Sequence, residues 1–172
     1  MREKALCLGI LLFIMCNTWA IGEKNVIGLW KSIDDKEQFT TSIIATYMYQ
    51  NKLYGRVIVS FDEDNGEFID SYMNPSKIAH KVDGNPLLLD IDIFFDLSFD
   101  KDDEKYSGGR AIDPRNGKTY KAEVWTTKEG LILRGKFGPF GMNNLFFPAS
   151  ENDLPLWVEK PNTSTFTPYL YP

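Results

Sequence analysis

From residue 26 to residue 148, apolar and polar positions alternate in short runs separated by turn-forming residues, a pattern that predicts an all-β unit. Residues 26–31 read as the first strand and 32–40 as a polar connection. The runs 42–49 and 53–61 flank Gln50, Asn51 and Lys52 and so predict a hairpin, with a loop over 62–67. In 87–95, Leu87, Leu89, Ile91, Ile93 and Phe95 share one parity while Asp90 and Asp92 share the other, which predicts a strand with one apolar face. Runs 106–112, 118–127 and 131–137 alternate again. They are parted by Asp113-Pro114-Arg115-Asn116-Gly117 and by Lys128-Glu129-Gly130, both turn chemistry, with Gly117 expected at positive φ. A last turn at 138–141 precedes a strand over 142–147. About eight short antiparallel strands either close into a barrel or stack as a sandwich.

The two ends of the chain break this pattern. Met1, Arg2, Glu3 and Lys4 lead into an apolar run that ends at Met15, followed by Cys16, Asn17, Thr18, Trp19 and Ala20. This reads as a signal peptide over residues 1–20, cleaved after Ala20, because the apolar core is well short of the ~20 residues a spanning helix needs. No second run of that length follows, so no transmembrane span is expected in the mature protein. The protein is expected to be exported, periplasmic or secreted. Lipid attachment at Cys16 is the competing reading, and Met15 argues against it because such sites take a small residue before the cysteine. Residues 149–172 hold four of the nine prolines together with Leu154, Leu156, Trp157 and Phe166. That composition predicts an extended tail docked on a barrel domain of residues 21–148, covering an open sheet edge or the barrel mouth.

Charge and reactive side chains narrow the function more than they define it. The 24 acidic against 19 basic residues give a net charge of -5, which leaves no footprint for nucleic acid. Both cysteines, Cys7 and Cys16, fall in the leader, and His80 is the only histidine, so a Cys-His nucleophile and a His- or Cys-rich zinc site are excluded. No Gly-x-Ser-x-Gly elbow accompanies His80, which reads as a loop histidine. Asp90 and Asp92, ~6.8 Å apart along a strand, have a spacing that suits paired carboxylates, but aspartates opposite an aliphatic face read first as a solvated barrel exterior. The run from Asp62 places Gly66 one position early for a calcium loop. Asp100, Asp102, Asp103 and Glu104 read as a charged hairpin tip, and Gly135, Gly138 and Gly141 as strand-end and turn glycines. No cofactor, no metal and no catalytic residue is assigned, and an enzyme is the least favoured class.

The aromatic residues are informative by placement. Tyr47, Tyr49, Phe95, Tyr120 and Phe137 share strand faces with aliphatic residues, the face that a closed sheet turns inward. Tyr47, Val57, Ile91, Phe95, Tyr120 and Val124 are therefore the expected walls of a pocket for a small apolar or amphipathic ligand, with the hydroxyls of Tyr47 and Tyr120 fixing its polar end.

Gly28-Leu29-Trp30 opens the first strand as in lipocalin-like barrels, where the tryptophan closes the base, and Arg134 reaches such a tryptophan only if both sit at the barrel rim. Farther along, GNPLLL at 84–89, YSGGRAIDP at 106–114, NGKTY at 116–120 and Leu133-Arg134-Gly135 follow in order. With these motifs the chain resembles the bacterial exported family called domain of unknown function 2147, from about residue 26 to 147. The resemblance implies a small lipocalin-like antiparallel β-barrel of about eight strands and no assigned activity. The chain departs from it at 142–147, where MNNLFF replaces the more polar, tryptophan-bearing closing strand that the family implies, and in the added proline-rich tail. The favoured function is binding of a small hydrophobic molecule. The alternative is a cell-envelope interaction or structural module with a filled core and an envelope protein as partner.

Overall fold

The computed structural model describes residues 26–36 and 38–169; the expected signal peptide over residues 1–20, the expected cleavage after Ala20 and the alternative lipid site at Cys16 lie outside the described residues. Nine strands form one antiparallel sheet: β1 (Gly28–Ile33), β2 (Thr40–Tyr49), β3 (Lys52–Phe61), β4 (Phe68–Ser71), β5 (Asp92–Asp100), β6 (Lys105–Asp113), β7 (Lys118–Thr126), β8 (Leu131–Phe137) and β9 (Phe140–Ala149). The order β2-β1-β9-β8-β7-β6-β5-β3 closes on itself through the β2–β3 pairing, so eight strands make a barrel and β4 hangs beside β3 as a ninth. Closure removes the free edges an open sheet would expose. Among the described residues no helix is long and apolar enough to cross a membrane.

Turn chemistry positions the strands as the sequence requires. Gln50 and Asn51, at φ 48° and 62°, make the two-residue turn between β2 and β3. Gly117 joins β6 to β7 at φ 71°, and a Cβ there would lie 1.8 Å from the carbonyl oxygen of Lys81. The turn thus supports the long connection between β4 and β5. Gly117→Ala is expected to cost more than the ~1 kcal/mol of an unfavourable φ alone, because the Lys81 backbone must also retreat. A urea midpoint equal to that of the unchanged protein would contradict this contact.

The expected continuous strand over 87–95 is corrected by the structure. Leu88–Asp90 is a 3₁₀ turn and β5 begins at Asp92. Arg56 of β3 faces Asp92 while Gly55 faces Phe94, so Ile93 is an extra residue in β5, a β-bulge. A bulge breaks strict alternation. Phe94 joins the inner core and Ile93 packs against it, whereas Ile91 and Phe95 join a separate cluster. Gly55 is needed opposite the bulge, since a Cβ there would sit 2.2 Å from the Phe94 ring.

Inside the barrel, Trp30, Ile44, Leu53, Phe94, Leu97, Tyr106, Val124 and Leu131 pack into one core near the starts of β1, β3, β6 and β8. The Trp30 indole N–H donates to the Val26 carbonyl at 3.1 Å and to the Thr46 hydroxyl at 3.2 Å, which satisfies its buried donor. Two further clusters lie apart from this inner core. In one, Leu154 and Val158 of the tail cover Leu29, Ile43, Ala45, Ile58 and Val59. In the other, Tyr47, Tyr54, Ala79, Val82, Ile91, Phe95 and Ile112 pack with Phe166 and Tyr169. The tail therefore lies along strand faces rather than over a sheet edge or the mouth. Of the apolar tail residues expected to dock, Leu154 is buried, but Leu156 is fully exposed and Trp157 is 66% exposed. Their neighbour Val158 takes the inward position, because a turn at Pro155–Val158 rotates Leu156 and Trp157 outward.

Candidate functional site

The other end of the barrel holds space. A cup of about 1180 Å³ opens between the ends of β1, β3, β6 and β8 and the starts of β2, β5, β7 and β9. Its walls are Val57, Ile93, Ala111, Leu133 and Phe146, with Tyr120 and Gly135 on neighbouring strands. Ser42 and Ser60, which face each other across the β2–β3 ladder, bring hydroxyls to one side. Phe137, Phe140 and Met142 line the rim at the β8–β9 turn and are 77%, 76% and 72% exposed. The connection from β4 to β5 contributes Ile78, Ala79, His80 and Leu88 to the opening. It is tied down by Asp70, which accepts hydrogen bonds from the backbone amides of Ser71, Ser76 and Lys77 at 2.8–2.9 Å.

The six residues predicted to surround one pocket fall into three places. Val57 and Tyr120 line the cup. Val124 is fully buried in the filled base below it. Tyr47, Ile91 and Phe95 are grouped in the cluster beneath the tail and do not meet the others. On β5 the bulge at Ile93 puts Phe94 inward and Phe95 on the opposite face, and Ile91 lies before the strand begins. On β2 Tyr47 shares the parity of Ile43 and Ala45, the face that lies outside the inner core. Arg134 packs beside Gly141 and donates to Asn143 at 3.4 Å, away from the Trp30 base.

Asp92, expected on a solvated exterior, is completely buried instead. Arg56 binds it in a two-pronged pair, Nε and Nη2 each donating at 3.1 Å. The Tyr47 hydroxyl donates to Asp92 at 2.8 Å, and the backbone N–H of Tyr169 donates to it at 2.8 Å. Arg56 also donates to the Thr167 carbonyl at 2.7 Å and lies 5.0 Å from the centre of the Phe166 ring. Burial raises the Asp92 carboxyl above the ordinary range, against the lowering effect of Arg56 and the hydrogen bonds. Its contribution to stability is therefore fullest below the unfolded-state value and declines as pH rises through the elevated one. Burial, then the neighbouring Asp92 charge, raises Tyr47; burial, then a 2.6 Å hydrogen bond to Asp96, raises Tyr54. Both phenols stay neutral donors. The sequence reading missed Arg56 altogether; its only signal was a cation in the middle of the apolar run 53–61.

This network is an anchor by its chemistry, since each oxygen of Asp92 is engaged by the protein itself. Among the described residues, the cup offers room for another molecule. At 119 residues, most of the barrel, the comparison with known families is decisive: residues 28–146 match the family described as "Uncharacterized protein conserved in bacteria (DUF2147)". The chain belongs to that family. No curated protein matches this DUF2147 member. Among solved structures it is similar to protein HP1028 from the human pathogen Helicobacter pylori, described as belonging to the lipocalin family. The two share 19% identity over 74% of this chain and 85% of that one, with a TM-score of 0.55. The DUF2147 barrel is thus lipocalin-like in fold, closed at the tryptophan end and open at the other.

Proposed function

We propose that this protein is an exported binder of a small molecule with an apolar body and one polar end, and that the cup is its site. The observation that carries the reading is the division of the barrel interior. One end is packed solid around Trp30, and the other leaves about 1180 Å³ walled by Ile93, Ala111, Leu133 and Phe146. Ligand pockets of small proteins have this character, apolar walls with a few polar groups to one side. Burying a chain of methylenes there contributes ~0.8 kcal/mol for each. Ser42, Ser60 and the Tyr120 side chain are the groups placed to orient a polar end. The Tyr47, Ile91 and Phe95 positions have no part in this site.

Gly135 provides the test. It lines the cup, its φ is an ordinary one, and a Cβ there would meet only Tyr120, at 3.7 Å. Gly135→Leu is expected to fill the cup without breaking the strand, so the unfolding midpoint holds while affinity for a fluorescent C18 fatty acid falls by about tenfold or more. Equal affinity in the two proteins would place the ligand elsewhere. The second reading, a protein-interaction module, draws on the exposed Leu156, Trp157, Phe68 and Met73; it predicts no saturable uptake of the fatty acid by either protein.

A further inference from the structure

The β8–β9 hairpin places its largest apolar side chains where water, not protein, surrounds them. Phe137 and Phe140 pair across a two-residue Gly138-Pro139 turn, and Met142 follows on the same parity. All three are more than 70% exposed, and a Cβ at Gly138 would touch nothing within 4 Å, so the tip stands clear of the barrel. A protein with no use for such a tip would carry polar residues there, as its other turns at this end do. The β3–β4 turn presents Asp62, Glu63 and Asp64, and the β1–β2 connection Asp34 and Asp35.

The strand face beside the tip carries the opposite charge. Cross-strand pairing sets Arg110 against Lys121 and Lys121 against Lys136, a basic row across β6, β7 and β8, with Arg134 two residues from Lys136. Arg110 and Lys121 are exposed. Glu123, which pairs with Lys136, is the acidic member of this face. In a chain of net charge -5, a basic face bordering an exposed aromatic tip is a local departure that fits one kind of surface. Anionic lipid headgroups attract the cations, and the interfacial region accepts the phenylalanines. The acidic turns are repelled from the same surface, so contact is confined to one side of the mouth.

We propose that the β8–β9 tip is a membrane-docking element, seating the cup's opening against an anionic lipid surface so that its ligand is a molecule drawn from the bilayer. The docking stands on the tip and the basic row; the origin of the ligand rests on the cup being a binding site. Phe137 and Phe140 belong to both the cup's rim and the bilayer contact. A ligand leaving the bilayer therefore passes along apolar surface into the cup.

The test is sedimentation of the protein with vesicles of phosphatidylcholine containing phosphatidylglycerol, beside vesicles of phosphatidylcholine alone. Expected is binding to the anionic vesicles that weakens with added salt and falls about tenfold for each of Phe137→Ser and Phe140→Ser. Lys121→Glu, on the exposed strand face, should weaken it several-fold without touching the tip. Gly135→Leu should sediment like the unchanged protein while failing to extract a fluorescent fatty acid from the vesicles. That result separates the docking from the cup. Docking is overturned if the unchanged protein stays in the supernatant with anionic vesicles, or if both serine variants sediment as it does. If docking holds but the unchanged protein extracts no fatty acid, the ligand claim falls and the lipid contact alone survives.

Discussion

Asp92→Ala is expected to destabilise the protein by about 3–5 kcal/mol, the usual effect of removing one partner from a buried ion pair. The change leaves the Arg56 guanidinium, with a side chain only 13% exposed, facing apolar neighbours without its carboxylate. It also removes the acceptor of the Tyr47 hydroxyl and of the Tyr169 amide. Because Tyr169 and Thr167 are held through this pair, the tail should loosen before the barrel does, and limited proteolysis should cut first beyond residue 160. Replacing both partners, Arg56→Met with Asp92→Leu, should recover much of the loss in the urea midpoint, since no charge is then buried alone. A loss under 1 kcal/mol for Asp92→Ala would mean that water reaches the pair and that the tail is not held by it.

Trp30→Ala should be comparably damaging, at about 3–5 kcal/mol, for a different reason. Trp30 is 8% exposed and fills the base of the barrel against Val26, Ile44 and their neighbours, so truncation opens a cavity that the surrounding strands cannot collapse into. It also removes the indole N–H bonds to the Val26 carbonyl and the Thr46 hydroxyl, although that hydroxyl keeps its bonds to the Val26 carbonyl and the Gly28 amide. Trp157→Ala, on an exposed side chain, serves as the comparison and should change the midpoint by well under 1 kcal/mol. Thermal unfolding followed by circular dichroism reads both. Near-equal midpoints for the two variants would contradict a filled base.

These two residues also mark what the chain discloses before its structure is known. Trp30 was legible because a Gly-Leu-Trp start at the first strand needs only local order to place it, and the turns at 50–52 and 113–117 were legible because few residues tolerate their backbone angles. The short antiparallel strands followed from alternation and turn spacing, which fit a barrel or a sandwich alike; closure into a barrel was implied by the family resemblance. The faces of β3 and β5 did not follow. Parity counting assumes one residue per step, and the extra residue at Ile93 turns Phe94 into the core and Phe95 out of the cup before a second register shift returns Leu97 to the core. Asp92 was read as solvated for a different reason: its partner Arg56 and its cover at 166–169 are brought to it only by the closed fold. The β4 strand was missed because Phe68–Ser71 is four residues with no clear period. The cup could not be counted from sequence at all, since volume is a property of how the strands close.

The central claim is that the open end of the barrel, and not the cluster beneath the tail, receives the ligand. Amide chemical shifts of isotope-labelled protein titrated with a medium-chain fatty acid test it directly. Saturable shifts at Ala111, Tyr120, Leu133, Gly135 and Phe146, with Tyr47, Ile91 and Phe95 unmoved, are the predicted result. Shifts centred on Tyr47, Ile91, Phe95 and the tail, with the cup residues silent, would contradict it.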